Sequence, residues 1–259
     1  MDSGGRSGLS QGKYVRDMSV SPELTLLIPV HNELENIEPL YRRLCEVLEG
    51  TGKTFEILMV DDGSTDGSLE KIRELGRQDG RVHLIDLGGH FGQTPALAAG
   101  SRRARGAIVV MLDADLQNDP ADIPRLLEAC HRGLDVVCGW RRRRADCWLT
   151  RTLPSLLANR ILSWITGVRL HDFGCTLRAC RRELLVPAHF WGESHRFLPA
   201  LLARQGARIG ELEVTHHPRR AGRSKYGLSR VFRFLGDLVV LLRMDRPAPP
   251  QSHHRNSPV

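Results

Sequence analysis

Asp113 and Asp115 stand one residue apart at the end of the apolar run in VVMLDADLQNDP, Val109 to Pro120. Side chains alternate along an extended chain, so the two carboxylates project to the same side. With Gln117 two residues further on, they form an all-oxygen set suited to a hard divalent cation, Mg²⁺ or Mn²⁺. A structural reading competes: one aspartate merely caps the helix that begins near Pro120, a task Asp119 is placed to perform instead. Two other clusters have the same character. IPVHNELENI (Ile28–Ile37) carries Pro29, His31, Asn32 and Glu33, and MVDDGSTDGS (Met59–Ser68) carries Asp61 and Asp62. Taken singly, the second also reads as an Asp-Gly turn followed by Ser/Asp helix capping.

These clusters need elements to position them. Short apolar runs at Leu24–Pro29, Phe55–Val60, Val82–Leu87, Ala107–Leu112 and Asp135–Gly139 predict strands. Helical patterns near Ile37–Leu48, Ser68–Gln78, Pro95–Ala104 and Ile123–His131 separate them. Continuous apolar strands alternating with amphipathic helices predict an α/β fold, a Rossmann-like, mostly parallel sheet covered on both faces. Ligands of such sheets bind beyond the carboxyl ends of the strands. All three clusters fall on that edge, so they are expected to form one site.

After Gly139 the rhythm breaks. A basic segment, Trp140 to Arg151, leads into an amphipathic stretch at Leu153–Gly167. A strand around Cys175–Arg178, a helix near Arg196–Arg204 and a strand at Arg208–Val214 follow. Residues 1–22 read as a disordered lead-in, 23–227 as one α/β domain, 228–243 as an amphipathic helix and 244–259 as a disordered tail. In that helix Arg230, Arg233 and Arg243 flank apolar residues, as at a membrane interface or on a terminal helix packed to the core.

With 37 Lys+Arg against 30 Asp+Glu the chain carries +7. The basic residues cluster at Arg141–Arg144, Arg181–Arg182 and Arg219–Lys225, which points to phosphates, nucleic acid or a membrane face. Within HPRRAGRSKYG (His217–Gly227), Arg219, Arg220, Arg223, Ser224 and Lys225 suit a diphosphate or an acceptor phosphate, or else a solvated basic loop. The six cysteines contain no C-x-x-C pair and are expected to be reduced thiols. No window reaches the roughly 20 apolar residues of a membrane-spanning helix.

The segments IPVHNELENI, VDDGSTDGS, GGHFGQTPALAAG, LDADLQNDPADIP, HDFGCTLRACRR and RAGRSKYG, in that order, resemble the family-2 glycosyltransferases of the GT-A fold. The similarity is to the branch that includes dolichol-phosphate mannosyltransferase and bacterial polyprenyl-phosphate glycosyltransferases. It covers roughly Leu24 to Leu242. The resemblance implies that Pro29, His31 and Glu33 line the base and ribose of a nucleoside-diphosphate sugar (UDP or GDP), with Asp61 or Asp62 accepting a hydrogen bond from the base. It implies that Asp113 meets the ribose or the metal, that Asp115 and Gln117 hold Mg²⁺ or Mn²⁺ against the diphosphate, and that Asp172 and Arg178 lie near the acceptor. Arg142, Arg219, Arg220, Ser224 and Lys225 would meet phosphate. The family usually has an aromatic where His31 stands and Asn where His90 stands.

The implied reaction is inverting transfer of the sugar to polyprenyl phosphate, at the cytoplasmic face of a membrane contacted peripherally. A phosphate monoester is already largely ionised at neutral pH, so Asp172 would serve either as a base or to orient an arginine. Transfer to a glycan or protein hydroxyl is the competing reaction, and it requires a base, Asp172 or else Glu193. A sugar nucleotidyltransferase would carry a glycine-rich, Lys/Arg-bearing signature after the first strand, which this chain lacks. A nucleic-acid-binding module would explain the charge but not three acidic clusters on one edge, and no nucleic-acid partner is expected. A degenerate protein that binds nucleotide sugar without turnover is the last alternative.

Overall fold

The structure, a computed structural model, describes residues 21–142 and, except for 161, 165, 187 and 189, residues 160–218. The calls on 1–20, 219–227, 228–243 and 244–259 lie outside the described residues.

The first half follows the expected alternation. Strand β1 (Leu24–Val30), helix α1 (Leu34–Glu49), β2 (Phe55–Asp61), α2 (Ser68–Gln78), β3 (Val82–Asp86), α3 (Gln93–Arg103), β4 (Ile108–Met111), a 3₁₀ turn (Pro120–Asp122), α4 (Ile123–His131) and β5 (Val136–Trp140) succeed one another. Then come β6 (Arg178–Arg181), a single helical turn α5 (Arg182–Leu185), a 3₁₀ turn (Ser194–Arg196), α6 (Leu198–Arg204) and β7 (Ile209–Glu213).

The seven strands form one sheet in the order β3-β2-β1-β4-β6-β5-β7. Every pairing is parallel except those of β6, which runs antiparallel to both β4 and β5. The strand expected at Cys175–Arg178 therefore begins only at Arg178 and runs to Arg181. The residues before it belong to the turn that delivers the chain to an opposite-running strand, a placement set by partners 40 to 73 residues upstream rather than by local apolar content.

Alternate residues of the central strands enter opposite layers. Leu24, Leu26 and Ile28 of β1 pack with Ile37, Leu40 and Leu44 of α1 and with Leu126 of α4. Leu27 and the β4 residues Val109 and Met111 join Leu97 of α3 and Leu201 and Leu202 of α6 on the other face. Buried on both faces, these strands carry continuous apolar runs instead of alternation. From β1 the chain winds outward through β2 to β3, then returns to place β4 on the other side of β1. The crevice beyond the carboxyl ends of β1 and β4 is thus the topological switch point, where open α/β sheets bind ligands.

Candidate active site

The loops after β1 and β2 are sewn together by side-chain caps. Asn32, in left-handed backbone at φ 54°, donates its N–H to Ser64 Oγ at 3.0 Å and accepts from Thr65 N at 2.7 Å through Oδ1. Ser68 Oγ accepts from Glu33 N, and Asp66 Oδ2 accepts from Leu34 N, so the second loop supplies acceptors for donors at the start of α1. Gly63 has φ +68°, and a Cβ there would lie 2.5 Å from the Gly89 carbonyl carbon. The β2 and β3 loops therefore touch backbone to backbone. This fixes Asp62, whose Oδ1 accepts from Phe91 N at 2.6 Å and Gly92 N at 3.1 Å.

The adjacent aspartates divide their tasks. Asp62 is consumed by the β3 loop, whereas Asp61 uses Oδ2 to accept from Ser64 N at 3.0 Å. Asp61 Oδ1 is buried and has no hydrogen-bond partner among the described residues. A buried acceptor without a donor is costly, so this oxygen is suited to an N–H brought by a ligand.

Just beyond β4, Asp113 accepts from Gln93 Nε2 at 2.7 Å and from Thr176 Oγ1 at 2.9 Å. Asn118 Nδ2 in turn donates to Thr176 Oγ1 at 3.1 Å. Burial, followed by the like charge of Asp115, pushes the Asp113 carboxyl up to about 6, against the hydrogen bond from Thr176 and the charge of Arg141. Asp115 is itself buried, and its Oδ1 accepts from Gln117 N at 3.2 Å. Leu116 between them sits at φ 59°, a strained conformation for a residue with a branched side chain. Two neighbouring carboxylates at the strand end, with Gln117 two residues on, fit a hard divalent cation.

Gln117 ties this turn to the chain leading into the basic stretch. Its carbonyl accepts from His217 N at 2.8 Å, Asn118 bridges to His216, and His217 Nε2 lies 3.0 Å from Asp119 Oδ2. Asp119 also caps the 3₁₀ turn by accepting from Ala121 N. Residue 218 is the last described before Arg219, Arg220, Ser224 and Lys225, which lie outside the described residues.

On the other flank Asp172, 1% exposed, is held by a two-point fork from Arg141, with Nε at 2.7 Å and Nη2 at 3.1 Å. It also accepts from Gly174 N, while Glu211 holds the backbone N–H groups of His171 and Asp172. Of its two expected roles, the geometry matches orienting an arginine. Glu193 likewise lies 3.4 Å from Arg196. Arg142 is exposed and reaches Glu213 Oε2 at 3.4 Å. Arg178 is buried, donating to the carbonyls of His195 and Phe173. It borders a cavity of about 10 Å³ with Pro29, Gln93, Asp113, Thr176 and His195, so it underpins the carboxylate site from inside the fold. Sequence reasoning did not single out Gln93 and Thr176, which orient Asp113. They sit in quoted motifs, but their pairing spans 20 and 63 residues and leaves no local signal.

His31 and His90 stack with ring centroids 4.0 Å apart. His31 Nδ1–H donates to the Asp62 carbonyl at 2.7 Å, and His90 Nδ1 lies 2.8 Å from Asp62 Oδ2.

The switch-point crevice of this α/β sheet thus gathers paired carboxylates, a buried open acceptor and flanking arginines at one edge. Glycosyl transferase family 2 matches residues 25–186, and the chain belongs to that family. It is a glycosyltransferase of the GT-A fold. The chain is 42% identical over 226 residues to the dodecaprenyl-phosphate galacturonate synthase of Rhizobium johnstonii, covering 86% of this chain and 67% of that protein. It is 39% identical over 220 residues to the undecaprenyl-phosphate 4-deoxy-4-formamido-L-arabinose transferase of Aeromonas hydrophila, covering 85% and 67%. Among solved structures, a mannosyltransferase of Pyrobaculum calidifontis in complex with GDP-Man and Mn²⁺ superposes with TM-score 0.63 at 20% identity, covering 90% of this chain and 67% of that one. Glucosyl-3-phosphoglycerate synthase of Mycobacterium tuberculosis, in complex with Mn²⁺, UDP and phosphoglyceric acid, does so with TM-score 0.63 at 20% identity, covering 89% and 80%. Among the described residues no helix is long and apolar enough to cross a membrane.

Proposed function

We propose that this chain transfers a sugar from a nucleoside-diphosphate sugar to a polyprenyl phosphate, with inversion and with the help of a divalent cation. The observation that carries the choice of acceptor is the Arg141–Asp172 pair. A hydroxyl acceptor needs a base, yet the buried carboxylate placed to act as one is clasped by a guanidinium. A phosphate acceptor is already an anion and needs cations and alignment instead. The two polyprenyl-phosphate transferases to which the chain is similar support this reading.

In the proposed mechanism Asp61 Oδ1 accepts from an N–H of the base, and Pro29, His31 and Glu33 border base and ribose. Asp113, aligned by Gln93 and Thr176, and Asp115, with Gln117, would hold Mg²⁺ or Mn²⁺. The cation supplies charge neutralisation for the departing diphosphate. Arg141, fixed by Asp172, meets the acceptor phosphate with Arg142, and Arg219, Arg220, Ser224 and Lys225 extend the phosphate contacts. The acceptor oxygen attacks the anomeric carbon on the face opposite the leaving diphosphate, so the configuration inverts. A polyprenyl acceptor places the enzyme at a membrane surface, at its cytoplasmic face.

The test is transfer of radiolabel from a panel of UDP- and GDP-sugars into organic-extractable polyprenyl phosphate, with and without Mn²⁺. Label is expected in the lipid phase from one donor, and Asp115→Asn should reduce it by on the order of 10²–10³-fold. Hydrolysis of the donor or transfer to a soluble hydroxyl acceptor, with no lipid product, would sink the proposal.

A further inference from the structure

The D-x-D pair and Gln117 offer oxygen alone, but a second group of ligating atoms with different chemistry lies on the same edge. One ligand atom each from His31, Asp62 and His90 fall within 4.8 Å of one another. The three come from three loops, after β1, β2 and β3, and the close approach of Gly63 to Gly89 and His90 holds the last two in contact. His90 Nδ1 stands 2.8 Å from Asp62 Oδ2 and 3.3 Å from the Asp62 carbonyl, and His31 Nδ1 stands 2.7 Å from that carbonyl. Two imidazole nitrogens, a carboxylate oxygen and a carbonyl oxygen therefore lie close together.

We propose that His31, His90 and Asp62 form a second cation site, selective for a borderline metal such as Zn²⁺ over the hard Mg²⁺ or Mn²⁺. Around a tetrahedral ion with bonds of about 2.0–2.1 Å, neighbouring ligand atoms lie about 3.3 Å apart, so the contacts of 2.7 and 2.8 Å open by about 0.5–0.6 Å and the stacked rings swing apart to aim both nitrogens at one ion. The hydrogen now on each Nδ1 moves to Nε2 of a neutral ring, or leaves to solvent from an imidazolium. Imidazole nitrogen favours Zn²⁺, Cu²⁺ and Ni²⁺, whereas an all-oxygen set favours Mg²⁺ and Mn²⁺. Asp62 is pre-oriented, because Phe91 N donates to Oδ1 and Gly92 N donates to both Oδ1 at 3.1 Å and Oδ2 at 2.9 Å, with Oδ2 beside His90. The His90 side chain is 60% exposed, which gives an ion a route in from solvent.

The proposal is tested on the full chain with Co²⁺ and Zn²⁺ as probes, so that it stands apart from the transfer reaction. Co²⁺ should produce the intense visible absorption of a four-coordinate ion, discharged by Zn²⁺. The Asp113→Asn/Asp115→Asn double variant should keep that band while losing Mn²⁺ binding. His90→Asn, a change at an exposed side chain, should weaken Zn²⁺ binding by about 100-fold or more by calorimetry, with an unchanged circular dichroism spectrum. His31→Asn/His90→Asn should abolish the band. Zn²⁺ bound equally well by His90→Asn, or lost with the two aspartates, would overturn it.

Discussion

The carboxylates carry the clearest electrostatic signature. Asp113 is held above the usual carboxylate range by burial and by Asp115, so on the proposed reading protons and metal compete for it. Mn²⁺ affinity is therefore expected to fall as pH drops through about 6, which calorimetry between pH 5 and 7.5 would measure. The sign for stability is opposite. A carboxyl whose folded-state pKa lies above its unfolded value favours the metal-free fold at low pH, and that contribution is lost as pH rises through the folded value. In EDTA, Asp113→Asn should thus raise the melting temperature at pH 7.5 by more than at pH 5, as a thermal scan at the two pH values would show. Types and spacing marked Asp113, Asp115 and Gln117 as candidates in the sequence. That Asp61 rather than Asp62 retains an open acceptor was not legible, since it depends on Phe91 and Gly92 approaching from another loop.

At the scale of elements, the site is an assembly of loops held at strand ends. Gly63 is a tight joint between two of these loops, with left-handed backbone and no room for a side chain against Gly89 and His90. Gly63→Ala should cost about 1–3 kcal/mol in chemical denaturation, and it should also weaken nucleotide binding by parting the two loops. Alternating apolar runs and amphipathic patterns sufficed to find β1 to β5 and α1 to α4, because each buries a face readable from its own residues. The strand β6 was misplaced by three residues. Its register is set by antiparallel partners in β4 and β5, and RACR carries no run that would mark it.

In the whole molecule, two apolar layers clamp the sheet while the chemistry stays at one edge. Leu26, fully buried in the middle of β1, belongs to the core and touches none of the polar clusters. Leu26→Ala should lower stability by about 2–5 kcal/mol in urea unfolding, with Mn²⁺ affinity of the folded protein unchanged within error. Had the site depended on overall packing, both quantities would fall together. The amino-acid sequence by itself determined the alternation of strands and helices and the acidic pairs at the carboxyl ends of the strands. Burial periodicity and ligand chemistry are local properties, written in neighbouring residues. Only the tertiary structure decided that Asp172 is clasped by Arg141, that Gln93 and Thr176 aim Asp113, and that His31 stacks on His90 over Asp62. Those contacts join residues 20 to 63 positions apart, and no local pattern specifies which of many polar side chains will meet once the sheet has closed.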